Sequence, residues 1–191
     1  MTITANQLLD RARYWIGFNE DNGGHEAIIN LYNQYRFHGC GYYMKHTGEW
    51  CAAFVSACAI RCKATDIIPV ECHCNHMISL FKKIGVWIED ESVIPEPGDI
   101  VFYDWQDDGN GDNKESSDHV GIVESVDIDN KEFVVIEGNY DRSVKRRNLK
   151  FNQKYLRGFA RPEYGKQSNM KLLINKCKIF ASNLYRILKK H

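Results

Sequence analysis

The 191-residue chain has no apolar run approaching the ~20 residues that cross a bilayer, which argues against a helical membrane span. It carries no excess charge, with 25 Lys and Arg against 25 Asp and Glu, so nothing in the balance suits a nucleic-acid coat. Its opening residues, Met1 to Asp10, have neither a basic start nor an apolar core, so they do not read as a secretory signal. Internal repeats and low-complexity segments are missing too, which leaves the solenoid and disordered classes aside. The cysteine count is seven, an odd number, and this favours free thiols over a disulfide framework. Together these features predict a protein made in a reducing cytoplasm, which acts outside only if something else releases or delivers it.

Acidic residues are also missing from one end. None follows Glu163, and seven of the 25 basic residues lie at positions 166–191. The sequence therefore divides into an acidic domain over 1–163 and a basic segment over 164–191. In that tail Met170, Leu173, Ile174, Cys177, Ala181, Leu184 and Leu188 form an apolar stripe at helical spacing, with lysines elsewhere. A cationic amphipathic helix of this kind seeks an anionic wall polymer or membrane surface. Docking on the acidic domain, or leading to a further module, is the equal alternative.

What remains is 43% hydrophobic and 26% charged, suited to a globular core. Helical periodicity predicts helices over residues 4–16, 27–35, 50–62 and 74–84, the last ended by Gly85. The Gly- and aromatic-rich stretch 37–48 reads as an ordered loop. Strand-like runs follow at 100–103, 119–126, 132–138 and 155–160, with a hairpin loop at 127–131. Helices first and antiparallel strands second make an α+β class.

Cys51 stands at the start of the strongest helix, where the dipole and unpaired N–H groups lower a thiol pKa. His119 opens one strand, and Glu137 and Asn139 stand two apart at the end of the next, which period-two geometry puts on one face. Singly, each has a plainer reading: a cysteine on a helix is commonly a small buried hydrophobe, and polar residues before a loop are commonly solvated. Jointly they supply a nucleophile, a base and an orienting group.

The segment Gly48-Glu49-Trp50-Cys51-Ala52-Ala53-Phe54-Val55-Ser56 resembles the nucleophile motif of the CHAP family, the cysteine- and histidine-dependent amidohydrolases and peptidases. Pro97-Gly98-Asp99-Ile100-Val101-Phe102-Tyr103 is similar to the strand that precedes the family histidine. Asp118-His119-Val120-Gly121-Ile122-Val123 and Glu137-Gly138-Asn139 resemble the two motifs that follow. Ile16-Gly17-Phe18-Asn19-Glu20 is similar to the opening helix and turn, so the resemblance spans residues 5–162.

It implies a papain-like fold and cleavage of amide or peptide bonds in bacterial peptidoglycan, as an endopeptidase or an N-acetylmuramoyl-L-alanine amidase of the endolysin kind. Carried over, Cys51 attacks the carbonyl and His119 moves the proton. Glu137 orients the imidazole with Asn139 as a further polar partner, and which of the two is closer stays open. The Cys51 N–H contributes to the oxyanion hole. No cofactor is required, and a monomer is expected. Two other readings remain: an amidase acting on a cytosolic peptide conjugate, and an inactive wall-binding module.

Two metal signals are weaker. Cys72-His73-Cys74 with His76 lacks the ligand spacing of a zinc site. The acidic loop from Asp107 through Asp112 is similar to part of a calcium loop, yet it has Asp118 where an EF-hand places its bidentate Glu. A solvated loop is the reading preferred there, and Cys58 with Cys62 reads as core.

Overall fold

A computed structural model describes residues 3–37, 39, 41–107 and 116–165. The expected basic helix at 166–191 and Asp112 of the acidic loop lie outside the described residues.

Among the described residues four helices precede six strands: α1 (Ala5–Tyr14), α2 (Gly24–Gln34), α3 (Cys51–Cys62) and α4 (Cys74–Lys83), then β1 (Trp87–Ile88), β2 (Ile100–Tyr103), β3 (His119–Asp127), β4 (Glu132–Tyr140), β5 (Ser143–Lys150) and β6 (Leu156–Ala160). The strands form one sheet of order β1-β6-β2-β3-β4-β5, with every pair antiparallel. This is the expected α+β order. β6 returns to lie between β1 and β2, so the last strand completes the middle of the sheet.

The helix ends follow local chemistry. α1 starts at a capping box, in which the Thr4 hydroxyl accepts from the Gln7 N–H and the Gln7 side chain accepts from the Thr4 N–H. α3 starts differently. Its N-cap is Trp50, whose side chain makes no capping bond, so its first N–H groups keep their positive end uncovered. α4 runs into Ile84 and then Gly85, whose φ of 78° takes the left-handed turn at low steric cost.

α3 departs from the expected single apolar stripe. Its first nine residues are all buried, because α1, α2 and the sheet enclose it. Small residues (Ala52, Ala53, Ala57, Ala59) allow that approach. The sheet supports cores on both faces. Ile100, Phe102, Val120, Ile122 and Ile136 join the helical core, while Val101, Tyr103, Val123, Phe133 and Val135 form a second cluster.

Gly138 fixes how closely α3 sits on β4. A Cβ placed there would stand 2.3 Å from Phe54 Cβ and 3.1 Å from Trp50 Cζ3. Gly138→Ala is therefore expected to destabilise the fold by about 1–3 kcal/mol, the range for overpacking a core. Urea unfolding of the variant against the parent measures it.

Candidate active site

The site is built where α3 begins beside the open ends of β3 and β4. Trp50 is fully buried and donates from Nε1 to Glu20 Oε1 at 3.1 Å, while Glu20 Oε2 receives Arg142 Nε at 2.8 Å. The turn after α1 and the turn between β4 and β5 thus clamp the residue before Cys51. The Arg142 guanidinium also holds the Glu20 carboxyl below its ordinary range.

β3 and β4 pair from Gly121 opposite Glu137 to Asp127 opposite Glu132, through the expected hairpin turn. His119 is thus two residues beyond Gly121 on the same strand face. Gly121 also makes space for the acid, since a Cβ there would meet Val135 Cγ1 at 2.5 Å and Glu137 Cγ at 2.8 Å. Its bare backbone leaves room for the Glu137 side chain to cross β3. The Glu137 carboxylate, fully buried, receives three donors: His119 Nε2 at 3.2 Å, the Tyr103 hydroxyl at 2.5 Å and Arg147 Nε at 2.9 Å. With Nε2 engaged, Nδ1 is the ring nitrogen left to serve the Cys51 thiol, whose charged form the imidazole favours.

The charge states follow from these contacts. The Cys51 thiol lies well below its ordinary value. Its bond with Cys74 is the largest cause, and the imidazole and the Ala52 N–H act in the same direction against burial. For His119, burial favours the neutral ring, but the Cys51 sulfur and Glu137 outweigh it and push the pKa up to about 10. The pair rests as thiolate and imidazolium.

Asn139 goes elsewhere. Period-two spacing fails at this point because the β4–β5 register shifts between Glu137 and Tyr140, and Asn139 takes a φ of 59°. Its Nδ2 donates to Glu49 Oε2 at 2.5 Å rather than to the ring. Glu137 is therefore the residue that contacts the imidazole, and Asn139 straps the end of β4 to the loop just before Cys51.

Several contributors are not legible in the sequence. Tyr103 lies within a motif quoted above, but its hydroxyl on Glu137 needs the β2–β3 register, which sets Tyr103 opposite His119. Arg147 belongs to β5, a strand not expected at all. It stacks on Tyr140 at 4.0 Å as it reaches Glu137. Trp105 lies stacked on Tyr103 and on His119, with centroids at 5.2 and 6.0 Å, and covers the ring. Ser117 is held on two sides, because its N–H donates to Asn75 Oδ1 at 2.8 Å and its hydroxyl to the Tyr103 carbonyl at 2.9 Å. This ties α4 to the residues leading into His119.

Cys51 and Cys74 open into a cleft of about 670 Å³ whose other walls include Tyr42, Met44, Glu49 and Asp118. The ordered loop expected over 37–48 supplies one of those walls.

Among the described residues no group of three or more His, Cys, Asp or Glu is arranged around a cation. Cys74 pairs with Cys51, and the Cys72 N–H donates to Glu71. Asp107 accepts from the Tyr155 N–H at 3.4 Å. Cys58 and Cys62 are buried, as a core role requires, and burial raises both thiol pKa values.

No curated protein and no solved structure matches the chain. The CHAP domain family matches residues 41–139, just over half of the sequence, and that span contains Cys51, His119, Glu137 and Asn139. With its helix-then-sheet architecture and that match, the chain belongs to the CHAP-domain family of amidase and peptidase hydrolases.

Proposed function

We propose that this protein cleaves an amide or peptide bond in bacterial cell-wall peptide, with Cys51 as the nucleophile. The observation that carries the reading is the Cys51 sulfur at the uncapped start of α3, served by an imidazole that a fully buried carboxylate holds.

Cys51 attacks the scissile carbonyl as thiolate, and the oxygen of the tetrahedral intermediate turns toward the helix start. The Cys51 backbone N–H, in the first turn, is among those without an intrahelical partner, which suits an oxyanion donor. His119 gives its proton to the departing amine, leaving a thioester on Cys51. The now neutral ring takes a proton from water, which attacks the thioester and restores the thiolate. Glu137 keeps the ring oriented and favours its charged form. Asn139 and Glu49 steady the backbone just before the nucleophile. No step calls for a cofactor, and calcium at Asp107 and Asp112 would be structural. An anionic wall polymer or membrane surface is the proposed partner of the basic tail.

Digestion of purified peptidoglycan followed by mass spectrometry of the soluble fragments tests the reading. One class of amide is expected to yield a new amine and carboxyl pair. Release at the muramoyl–alanine bond identifies an amidase, and release within stem or cross-bridge identifies an endopeptidase. Fragments with only glycosidic ends would overturn it.

The pH dependence has a definite sign. Because Cys51 is lowered and His119 is raised to about 10, the ion pair is favoured at neutral pH. Alkylation of Cys51 by iodoacetamide is expected to be flat from mildly acid to mildly basic pH. Hydrolysis is expected to fall as pH rises through about 10, where the imidazolium loses the proton that the leaving amine needs. An alkylation rate climbing tenfold per unit through pH ~8 would show an ordinary thiol instead.

A further inference from the structure

One close neighbour of Cys51 moves no proton in the hydrolytic cycle, although its hydrogen bond helps to hold the thiolate. Cys74 Sγ lies 3.7 Å from Cys51 Sγ, and the two thiols line the same cleft from the first turns of two different helices. Neither helix start has a side-chain cap.

This proximity is constructed by several fixed groups. Ser56, on α3, accepts the Glu71 N–H at 2.9 Å and donates to the Glu71 carbonyl at 2.7 Å. The buried Glu71 carboxylate then receives the N–H groups of Cys72 and His73 at 2.7 and 3.1 Å. Asn75 holds the other side through Ser117. The start of α4 is in this way bolted to α3, and Cys74 is only 8% exposed where it faces the nucleophile.

The two sulfurs differ in charge. Cys51 is held as thiolate, whereas its proximity to Cys51 and its burial push Cys74 well above the ordinary thiol value. An oxidant meets the anionic sulfur first, since the thiolate is the reactive form.

We propose that Cys74 is a resolving thiol, which converts an oxidised Cys51 into a reversible Cys51–Cys74 disulfide before the nucleophile is lost to over-oxidation. The oxidant is a hydroperoxide. The Cys51 thiolate attacks one peroxide oxygen, the O–O bond breaks, and Cys51 becomes a sulfenic acid while hydroxide (or alkoxide) departs. Cys74 sulfur then attacks the Cys51 sulfur, the S–O bond breaks, and the Cys74 proton leaves with the hydroxyl as water. The sulfur atoms close from 3.7 Å to a covalent ~2.0 Å. A dithiol reductant reverses the step by exchange.

The proposal requires Cys51 to be a thiolate but makes no use of any substrate, so a peptide map separates it from the hydrolase reading. The full chain, reduced and desalted, is treated with a small excess of hydrogen peroxide, alkylated with iodoacetamide and digested with trypsin. The expected product joins peptides 46–61 and 64–82 with the loss of two hydrogens. Fragmentation must place the link at Cys51 and Cys74 rather than at Cys58 or Cys72, which share those peptides. Dithiothreitol should return nearly all Cys51 to the alkylatable form. In Cys74→Ser the same treatment should leave Cys51 largely as sulfinic or sulfonic acid, with little recovery. Wild-type protein carrying over-oxidised Cys51 beside alkylated Cys74, or a link from Cys51 to any other cysteine, overturns the proposal. Should Cys74→Ser fail to fold, the wild-type map alone decides.

Discussion

Cys51→Ala is expected to lower hydrolysis of purified peptidoglycan by at least about four orders of magnitude, with the fold retained. Removing the nucleophile of a comparable hydrolytic triad removes nearly the whole chemical contribution, and the remainder comes from binding and the oxyanion site. The side chain lost is small and 4% exposed, so alanine leaves little cavity in a helix already rich in alanine. The measurement is release of soluble fragments per unit time, beside thermal unfolding of the same sample. Activity within tenfold of the parent, in a folded variant, would remove the thiol mechanism. Cys51→Ser gives the sharper comparison. It keeps the shape but replaces an ionised sulfur with a hydroxyl, which His119 must deprotonate during attack.

Glu137→Gln should have the next largest effect, for a different reason. The carboxylate accepts from an imidazole, a phenol and a guanidinium at once. An amide has only one oxygen, and its NH2 must face at least one of those donors. The expected result is a fall in kcat of about 10²–10⁴, the upper value being that for loss of the correct imidazole tautomer in a comparable triad. Stability should drop too. Arg147 would face a neutral partner at a buried site, and breaking such pairs costs about 3–5 kcal/mol. A purely structural role predicts the stability loss alone. A positioning role predicts in addition that the basic limb of the pH profile moves toward neutrality, because the imidazolium loses its counter-charge. A variant with a normal basic limb and normal kcat would show that Glu137 does not orient the ring.

How far the sequence could be read depended on whether a signal was local. Cys51 at a helix start, His119 at a strand start and Glu137 one strand later are all local patterns, and the fold brings them together. Asn139 shows the limit. Alternation along a strand carries no warning of a register shift, and only the pairing with β5 reveals one. β5 itself was not expected, because it shows no regular alternation of apolar residues. Val144 and Leu149, its buried apolar positions, are five apart and so out of phase, and Lys145, Arg146 and Arg147 lie between. That composition suits an edge strand, where charge discourages further pairing. Cys74 stands in the sequence beside Cys72, His73 and His76, which together resemble a weak metal motif. Its actual partner is 23 residues away, a distance no spacing rule covers.

The closing strands have a consequence for which part of the chain can build the site. β6 fills the gap between β1 and β2, and β5 delivers the guanidinium that steadies Glu137, yet both lie beyond residue 139 where the family match stops. A nascent chain halted at that boundary would hold the sulfur, the imidazole and the acid, with two strands of the sheet still missing. The motif residues and the strands that complete their setting thus lie on opposite sides of that boundary.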